Sequence, residues 1–384
     1  MTTITEVKAY PIAVPLRQAL WTAHEPLKDA SMVLVEVKTS GGISGFGQIS
    51  SGPLKDVCAW VERLGNVARG MNALAHIDVW ERLFGLTSPR PGGVAARDGL
   101  PPPLPRSARP QIMAAIGGID IALWDVKGKA AGMPVYRLLG AENRPVFTYG
   151  TGGYYVPGAP HSAYAKELAG FVANGYRGVK LKTGAETVKE EVERIRAVRE
   201  AIGPDVMLML DMNAAYDLET CIGFARAVEP LAPFWLEEPL HWYLQPADFA
   251  RLAAATPIPL AHGERELHRF TARDFITQGA IRYLQFDSTR YAGFTESLRL
   301  AHLASQHGVR ITPHHAPELH AHLVAAFPEA GFGVESHGDE ARDPIWHGLF
   351  RKRAEVRASY VHMNDDAGFG IEIDWTFAEK HAVR

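Results

Sequence analysis

The chain has 384 residues, of which 47% are hydrophobic and 22% are charged, and its formal net charge is -3. This composition supplies apolar side chains for one large globular core or two smaller ones. Lys and Arg number 40 against 43 Asp and Glu, with no long basic run, so we expect no nucleic-acid partner. Chemistry on a small molecule is the better starting hypothesis.

The cysteines and the first residues predict where the protein works. Cys58 and Cys221 are too few for a disulfide scaffold and lack the paired spacing of a structural zinc site. The start of the chain has no signal-peptide pattern, and no apolar run approaches the roughly 18 residues that cross a bilayer. We therefore expect a cytoplasmic protein with no membrane partner.

Residues 1–140 have the pattern of an α+β domain. Two strands and two helical stretches are predicted, at residues 4–11, 32–39, 57–83 and 111–138. Val33, Val35 and Val37 recur at every second position, as in a strand with one apolar face. Prolines between residues 85 and 110 predict a long loop, which is either functional or disordered.

From residue 146 onward, short apolar runs alternate with amphipathic stretches. The predicted strands are residues 146–149, 178–182, 206–211, 234–237, 258–261, 283–286, 309–312 and 332–335. The predicted helices are residues 162–174, 188–202, 218–228, 246–255, 270–278, 294–307 and 317–326. This alternation predicts the α/β class and a closed (β/α)7β barrel of the TIM type. We assign the barrel to residues 141–354, the N-terminal α+β capping domain to residues 1–140, and expect residues 355–384 to return to the capping domain.

Three carboxylates end successive predicted strands, and active sites of such barrels lie at these strand ends. Asp211, Glu237 and Glu264 are about one βα unit apart, so they should be neighbours. Carboxylates that close repel each other unless a cation lies between them. Because the ligands are all oxygens, the cluster favours Mg²⁺ over zinc. Glu238 follows Glu237 and points the other way, so one of this pair is expected to be structural.

Candidate bases follow two other strands. Lys180 and Lys182 share one face of their strand and point into the barrel mouth. Two adjacent ammonium groups lower each other's pKa, which predicts that one of them acts as a base near neutral pH. His314 comes one strand after Asp287, whose carboxylate can hold the imidazole in one tautomer. His315 competes with His314 for this role.

With these residues in place, the chain resembles the mandelate racemase subgroup of the enolase superfamily over essentially its whole length. The motifs that carry the resemblance are the segment 117–125, Lys180-Leu181-Lys182, Asp211-Met212-Asn213, the segment 235–239, Gly263-Glu264, Asp287 within 286–290, Pro313-His314 with Glu318 and His322, and Glu335. A muconate-lactonizing type would place a lysine at the position of Asp287.

The resemblance implies a metal centre and a carboxylate substrate. Asp211, Glu237 and Glu264 would bind Mg²⁺, which would chelate the substrate carboxylate and stabilise the enediolate that forms when the α-proton leaves. The superfamily uses a Lys or His base together with Mg²⁺, and this mechanism is taken from the resemblance. Family members commonly form dimers or octamers, so the resemblance also implies a homo-oligomer.

The resemblance also implies the acid and base groups. Lys182 would be the base on one face of the substrate, with Lys180 beside it touching the substrate carboxylate. His314, paired with Asp287, would serve on the other face. Glu335 would donate a hydrogen bond to the developing enediolate.

Two opposed bases leave two reactions open. If His314 returns a proton to the α-carbon, the result is racemisation or epimerisation; if it protonates a β-hydroxyl group, water leaves and a 2-keto-3-deoxy acid forms. A sugar acid needs hydrogen-bonding groups in the pocket, and the segments 20–25 and 48–51 are mostly polar. We therefore favour dehydration of a sugar acid, with a racemase or epimerase of an α-hydroxy acid second and a non-catalytic binding barrel third.

Four residues are the candidate substrate contacts: Lys180, Asn213, Trp21 and His24. Trp21 and His24 could equally be ordinary loop residues. Arg90 and Arg97, in the proline-rich loop, could reach the second carboxylate of a diacid, although a solvated loop charge is the more common arrangement.

Overall fold

The structure is a computed structural model that describes residues 2–88, 104–338 and 340–383. Arg90 and Arg97 lie outside the described residues, so their predicted contact stays a prediction. Across the described ranges, every helix is too short or too polar to cross a lipid bilayer.

An antiparallel sheet opens the chain, with strand order β1-β2-β3. Its strands are β1 (Ile4–Trp21), β2 (Pro26–Thr39) and β3 (Ser44–Ile49). The first two strands are longer than predicted and extend beyond the sheet as a two-stranded ribbon, in which Leu20 pairs with Leu27 and Trp21 with Pro26. Of the segment 20–25, which was predicted to be a loop, only the last four residues lie outside the strands.

Both faces of β2 are buried, although the sequence predicted one apolar face. Val33, Val35 and Val37 pack against the helices that follow the sheet, as the alternation predicted. Met32 and Leu34, on the opposite face, pack against residues near the C-terminus. The sheet therefore lies between two layers of the molecule.

The sheet is followed by α1 (Leu54–Ala68), α2 (His76–Gly85), α3 (Arg109–Ala131) and the short α4 (Val135–Leu138). The helical stretch predicted over 57–83 is two helices, because Arg69 adopts an extended conformation and Gly70 has a φ of 85°. Glycine adopts a positive φ without the steric cost that a side chain adds.

The long helix α3 joins the sheet to the rest of the molecule and is buried on nearly every side. A Cβ atom on Gly117 would lie 2.8 Å from the backbone nitrogen of Gly293, so only glycine permits this close approach. Asp120 accepts hydrogen bonds from both the backbone nitrogen and the hydroxyl of Thr295, at 2.7 and 2.6 Å. This helix thus fixes the N-terminal sheet relative to the barrel.

Parallel strands and helices alternate through the middle of the chain. The strands are β4 (Val146–Gly152), β5 (Gly178–Lys182), β6 (Met207–Asp211), β7 (Trp235–Glu237), β8 (Leu260–His262), β9 (Tyr283–Leu284), β10 (Arg310–Ile311) and β11 (Val334–Ser336). The helices are α5 (His161–Ala173), α6 (Val188–Ile202), α7 (Leu218–Val228), α8 (Pro246–Ala255), α9 (Arg269–Thr277), α10 (Gly293–Gln306) and α11 (Pro317–Ala325). Each predicted strand and helix of this region has a counterpart here.

The strands close into a barrel. They pair in chain order from β4 to β10, and β11 pairs in parallel with β4. The gap between β10 and β11 is closed by a bond from the backbone nitrogen of Phe332 to the oxygen of Ile311, at 2.8 Å. The prediction of a (β/α)7β barrel is confirmed, and the C-terminal ends of the strands face the candidate site.

The C-terminal segment returns along the molecule as α12 (Pro344–Leu349), β12 (Phe350–Lys352), β13 (Glu355–Arg357), β14 (Tyr360–His362), β15 (Glu372–Ile373) and α13 (Trp375–Lys380). Strand β14 pairs with the barrel strand β4. Ile345, Leu349 and Ile373 pack against the outer face of the N-terminal sheet. The segment thus contacts both parts, and the domain boundaries at 140 and 354 stay predictions.

Candidate active site

A cavity of about 400 Å³ lies between the C-terminal ends of the barrel strands and the N-terminal sheet. Lys182, Asn213, Glu264 and His314 line it from the barrel. From the other side it is lined by residues of the β1–β2 ribbon, including His24, and by the end of β3. Predicted site residues from two distant parts of the chain therefore meet at one cavity.

The three predicted metal ligands are brought together beneath this cavity. Asp211 and Glu237 are the last residues of β6 and β7 and are paired in register, and Glu264 follows β8. All three are buried, and one oxygen from each lies within 4.8 Å of the other two. Burial and the charge of Asp211 raise the pKa of Glu237 well above its ordinary value.

Unsatisfied oxygens test whether these residues fit a divalent cation. Within the described part of the chain, Glu264 Oε2 and Asn213 Oδ1 are buried without a hydrogen-bond partner. Buried acceptors normally have partners, so oxygens that lack them are candidates for a ligand. The donor set contains only oxygens, which suits Mg²⁺ better than zinc. The residues present therefore fit the ion that the sequence predicted.

The two lysines are ion-paired, which corrects the prediction of a lowered pKa. Lys182 Nζ lies 2.5 Å from Asp211 Oδ2, and Lys180 Nζ lies 2.5 Å from Glu237 Oε1 and 3.0 Å from Glu335 Oε1. Burial lowers both lysine pKa values, but the neighbouring carboxylates outweigh it and raise both above the ordinary value. In this arrangement attraction to the carboxylates exceeds repulsion between the ammonium groups.

Lys180 also differs from its predicted role as a substrate contact. It is completely buried, below the wall of the cavity, and its ammonium group is surrounded by Asp211, Glu237 and Glu335. Lys182, two residues further along β5, does reach the cavity wall. The two lysines share a face of the strand, as predicted, but lie at different depths.

His314 and Asp287 form the predicted pair. His314 Nδ1 lies 2.8 Å from Asp287 Oδ2, and the other oxygen of Asp287 accepts bonds from the backbone nitrogen and hydroxyl of Thr289, at 2.8 and 2.7 Å. Burial raises the pKa of Asp287, but the hydrogen bond with His314 and the charge of His314 hold it below its ordinary value. His314 Nε2 then points to Glu264 Oε2, at 3.4 Å.

Glu335 has a different charge from the one its implied role requires. It accepts a hydrogen bond from the Thr151 hydroxyl at 2.6 Å and pairs with Lys180. Burial raises its pKa, but Lys180 and His314 outweigh this effect and hold the pKa well below its ordinary value. A carboxylate has no proton to donate. In this arrangement Glu335 orients Lys180 instead of acting as a hydrogen-bond donor.

Strained backbone accompanies the strand ends. Glu238 and His315 directly follow Glu237 and His314, Asn213 lies two residues after Asp211, and the φ values of Asn213, Glu238 and His315 are 45°, 41° and 55°. Such left-handed conformations are costly for residues with side chains and are concentrated at functional sites. Glu238 is held by Arg265, whose Nε donates to both carboxylate oxygens at 3.0 and 3.1 Å, so Glu238 is the structural member of its pair.

Of the two predicted loop contacts, the structure brings only one to the cavity. His24 lines it, with its ring 5.3 Å from the ring of Trp242. Trp21 does not line it: its backbone pairs with Tyr155, and the residue is exposed. Because side chains alternate along a strand, Leu20 faces the cavity and Trp21 faces away.

Sequence reasoning missed several polar residues at the cavity. Arg290 Nη1 pairs with Glu264 Oε1 at 2.7 Å, and its position three residues after Asp287 was a signal that could have found it. Tyr154 and His337 also line the cavity and closely follow β4 and β11, so their strand-end positions were a signal that could have found them, whereas Asp343 precedes α12 and has no such pattern. His315 joins His337 and Asp343 rather than competing with His314, because its Nε2 lies 2.5 Å from His337 Nδ1.

The chain combines a capping sheet with a (β/α)7β barrel, and the ends of the barrel strands carry a carboxylate cluster between Lys182 and a His–Asp pair. This combination defines the enolase superfamily of enzymes. The mandelate racemase / muconate lactonizing enzyme N-terminal domain model matches residues 2–140, and the enolase C-terminal domain-like model matches residues 163–377. The chain belongs to the mandelate racemase/muconate lactonizing enzyme family.

Individual relatives cover nearly the whole chain. L-talarate/galactarate dehydratase of Salmonella typhimurium is 31% identical over 367 residues, which are 94% of this chain and 86% of that protein. D-galactarolactone cycloisomerase of Agrobacterium fabrum is 32% identical over 368 residues, 91% of this chain and 92% of that one. The crystal structure of a racemase from Streptomyces coelicolor with bound magnesium aligns with a TM-score of 0.87 at 25% identity, covering 99% of this chain and 100% of its own.

Proposed function

We propose that this protein is a Mg²⁺-dependent dehydratase that converts a sugar acid into a 2-keto-3-deoxy acid. The observation that carries the proposal is the carboxylate cluster with one candidate base at each end. Lys182 lies beside Asp211, and His314 lies beside Glu264, at the wall of the same cavity. A carboxylate substrate held over the cluster would expose its α-carbon to both bases.

Asp211, Glu237 and Glu264 would hold the metal ion. When bound there, Mg²⁺ supplies positive charge to the substrate carboxylate and to the charge that develops as the α-proton leaves, and it offsets the carboxylate charge that otherwise pairs with the lysines. Lys180, buried under the cluster, contributes a further fixed positive charge.

Lys182 would take the α-proton. Its Nζ is at the cavity wall, and in the neutral form its lone pair is available to a substrate above the cluster. Tyr154 lies beside it, with the Lys182 ammonium 5.4 Å from the ring centre. This contact and the pair with Asp211 hold the side chain in one place, so the base is oriented before substrate binds.

His314 would act as the acid that releases water. Asp287 holds its Nδ1, which leaves Nε2 pointing into the cavity near Glu264. A proton on Nε2 can be donated to a hydroxyl group on the β-carbon, so that hydroxide leaves as water. Asp287, fixed by Thr289, orients the imidazole and stays ionised throughout because its pKa is low.

The polar wall of the cavity favours a sugar acid as the substrate. Asn213 and Arg265 come from the barrel side, and His24 and Gln48 come from the opposite side. Hydroxyl groups along a sugar acid would meet hydrogen-bonding partners on both sides. The similarity to L-talarate/galactarate dehydratase supports the same substrate class.

Epimerisation of an α-hydroxy acid is the second candidate. It is favoured by the position of the two bases at opposite ends of one carboxylate cluster, since epimerisation needs a proton donor on the face opposite the base. The similarity to a racemase structure supports it as well. It differs from dehydration only in where His314 delivers its proton.

We also propose that the enzyme is cytoplasmic and works as a dimer or an octamer. Support for the reducing compartment comes from the cysteines, both of which are free. Burial raises the pKa of Cys58 to about 11 and that of Cys221 to about 12, so neither thiol is reactive at neutral pH. Light scattering on the purified protein measures the assembly directly, and a monomer would contradict this part of the proposal.

A substrate screen tests the reaction. Purified enzyme with Mg²⁺ is incubated with mono- and diacid sugars, and 2-keto acid is detected as its semicarbazone. We expect keto acid from one substrate or a small related group, and none from Lys182→Ala or His314→Asn. An epimerised product without keto acid would instead establish the second candidate, and no product across the library would contradict both.

A further inference from the structure

A second group of metal-ligating side chains lines the same cavity, apart from the carboxylate cluster. His315 follows β10, His337 follows β11, and Asp343 precedes α12. Among the described residues, only these three and the carboxylate cluster bring three such groups together. The proposed dehydration assigns this histidine and aspartate group no role.

The three ligand atoms converge on one point. His315 Nε2 lies 2.5 Å from His337 Nδ1 and 3.4 Å from Asp343 Oδ2, and His337 Nδ1 lies 3.6 Å from the same oxygen. Ligands held at about 2.0 to 2.1 Å from a tetrahedral ion are roughly 3.3 Å apart, which is close to the two longer separations. The two imidazoles would have to move apart by somewhat less than about 1 Å to complete this geometry.

Hydrogen bonding alone explains the arrangement less well. A charge-assisted bond between imidazole and carboxylate is usually about 2.7 to 2.9 Å long, so the two contacts of Asp343 are too long for it. His315 would also have to use one N–H for two acceptors, since its Nε2 faces both neighbours. A single cation between the three atoms removes both difficulties.

In two of the three side chains, His337 and Asp343, the polar atom that faces away from the group makes a hydrogen bond that holds the side chain in place. His337 Nε2 lies 3.4 Å from the Tyr154 hydroxyl, and Asp343 Oδ1 accepts the backbone nitrogen of Trp346 at 3.0 Å. Metal-binding histidines commonly use their second ring nitrogen in this way, which fixes the ring and selects the nitrogen that binds the ion. The His337 ring is thus oriented so that Nδ1 faces its neighbours.

An ion can reach this group from solvent. The side chains of His315, His337 and Asp343 are 25%, 16% and 15% exposed, and all three line the cavity. Asp343 supplies one negative charge, and the adjacent Arg342 is paired with Glu167. The group is therefore neither sealed in the core nor spread over the outer surface.

We propose that His315, His337 and Asp343 form a second metal site, which binds a transition-metal ion of the Zn²⁺ class. Two imidazole nitrogens and one carboxylate oxygen select such an ion, whereas the oxygen-only cluster selects Mg²⁺. Three protein ligands leave a coordination position open toward the cavity, where an oxygen of a bound small molecule can complete the shell.

Metal binding without turnover tests this inference, so its outcome does not depend on the proposed reaction. The intact protein is dialysed against Zn²⁺ in the presence of excess Mg²⁺, and bound zinc is measured by elemental analysis. Co²⁺ is then bound in place of Zn²⁺, because its visible absorption reports nitrogen ligands and low coordination number. Asp343→Asn removes the charge but keeps a residue that can cap α12, and His337→Gln removes one nitrogen ligand.

We expect about one zinc per wild-type chain, with binding weakened roughly tenfold or more in both variants. His24→Gln, a change of a cavity histidine outside the group, and Asp211→Asn, a change in the carboxylate cluster, should leave zinc binding intact. Circular dichroism establishes that each variant is folded. Absence of zinc in the wild type, or zinc that is lost in Asp211→Asn and kept in His337→Gln, would overturn the inference.

Discussion

Two candidate bases lie at opposite ends of the carboxylate cluster, as the proposed dehydration requires. Lys182 Nζ is 2.5 Å from Asp211, at one end of the cluster, and His314 Nε2 is 3.4 Å from Glu264, at the other end. The sequence predicted these residues because each ends or closely follows a barrel strand. It did not predict the charges on Lys180 and Glu335, since these depend on which buried groups are in contact.

Lys182 provides the first prediction at this scale. Replacing it with alanine removes the proposed base, and we expect kcat to fall by roughly 10²- to 10⁴-fold, the usual contribution of a positioned base. Steady-state kinetics measure the loss, and circular dichroism checks the fold. Lys189→Ala, at an exposed position on α6, is the matched control and should keep wild-type kcat. A Lys182→Ala enzyme with normal kcat would remove Lys182 from the mechanism.

At the scale of elements, the barrel was predicted better than the capping region. Helix α6 begins and ends where the sequence indicated, because Thr187 and Glu190 form reciprocal capping hydrogen bonds at its start. The ribbon formed by β1 and β2 was underestimated, since its pairing continues past the sheet without a distinct sequence pattern. That error placed Trp21 in a loop, and the true alternation turns its side chain away from the cavity.

The ribbon provides a second prediction. His24 lines the cavity and Trp21 does not, although the two are three residues apart. We expect His24→Ala to raise KM for the substrate severalfold, whereas Trp21→Ala should leave KM unchanged, because only the first removes a side chain from the cavity wall. Kinetics of both variants with the substrate found by the screen measure this difference. The reverse order of effects would contradict the orientation of the ribbon.

The contact between α4 and α11 provides a third prediction. The backbone nitrogen of Tyr136 donates to His322 Nδ1 at 3.1 Å, and burial lowers the pKa of His322 to about 3. The unfolded chain binds a proton at about pH 6.5 that the folded chain does not bind, so stability is complete above pH 6.5 and falls as the pH drops toward 3. Because His322 becomes protonated in the unfolded chain, the free energy of unfolding should fall by about 2 kcal/mol from pH 7 to pH 5.

Urea unfolding at pH 7 and pH 5 measures this cost. His322→Asn keeps an acceptor for Tyr136 but does not titrate, so its free energy of unfolding should fall less than that of the wild type between the two pH values. His307→Asn, at an exposed position, should fall as much as the wild type. Equal pH dependence in His322→Asn and the wild type would mean that His322 is not buried in its neutral form.

The whole molecule holds the site between parts that are distant in sequence. The helix α3 fixes the N-terminal sheet to the barrel through Asp120 and Thr295, and the C-terminal segment packs on the other face of that sheet. Asp343 reaches the cavity only because the chain folds back after β11. No local pattern marks Asp343, which is why the sequence predicted the barrel and most of its strand-end residues but not this part of the wall.

Metal binding provides the prediction at this scale. An ion that binds the folded chain at a hundred times its Kd stabilises it by roughly 2.7 kcal/mol, so Mg²⁺ should raise the Tm by a few degrees. Chelation should reverse the rise and abolish turnover. Calorimetry of the wild type and Asp211→Asn, with and without Mg²⁺, measures it. A Tm that responds equally in both proteins would place the ion elsewhere.

The position of solvent deuterium in the product tests the central claim most directly. The enzyme, Mg²⁺ and the substrate found by the screen are incubated in D₂O, and the products are analysed by NMR and mass spectrometry. Loss of the α-proton and of the β-hydroxyl group gives an enol, which becomes the keto acid by taking a proton from solvent at C3. We therefore predict a 2-keto-3-deoxy acid with one deuterium at C3. Deuterium at C2 of an intact hydroxy acid, without keto acid, would contradict dehydration.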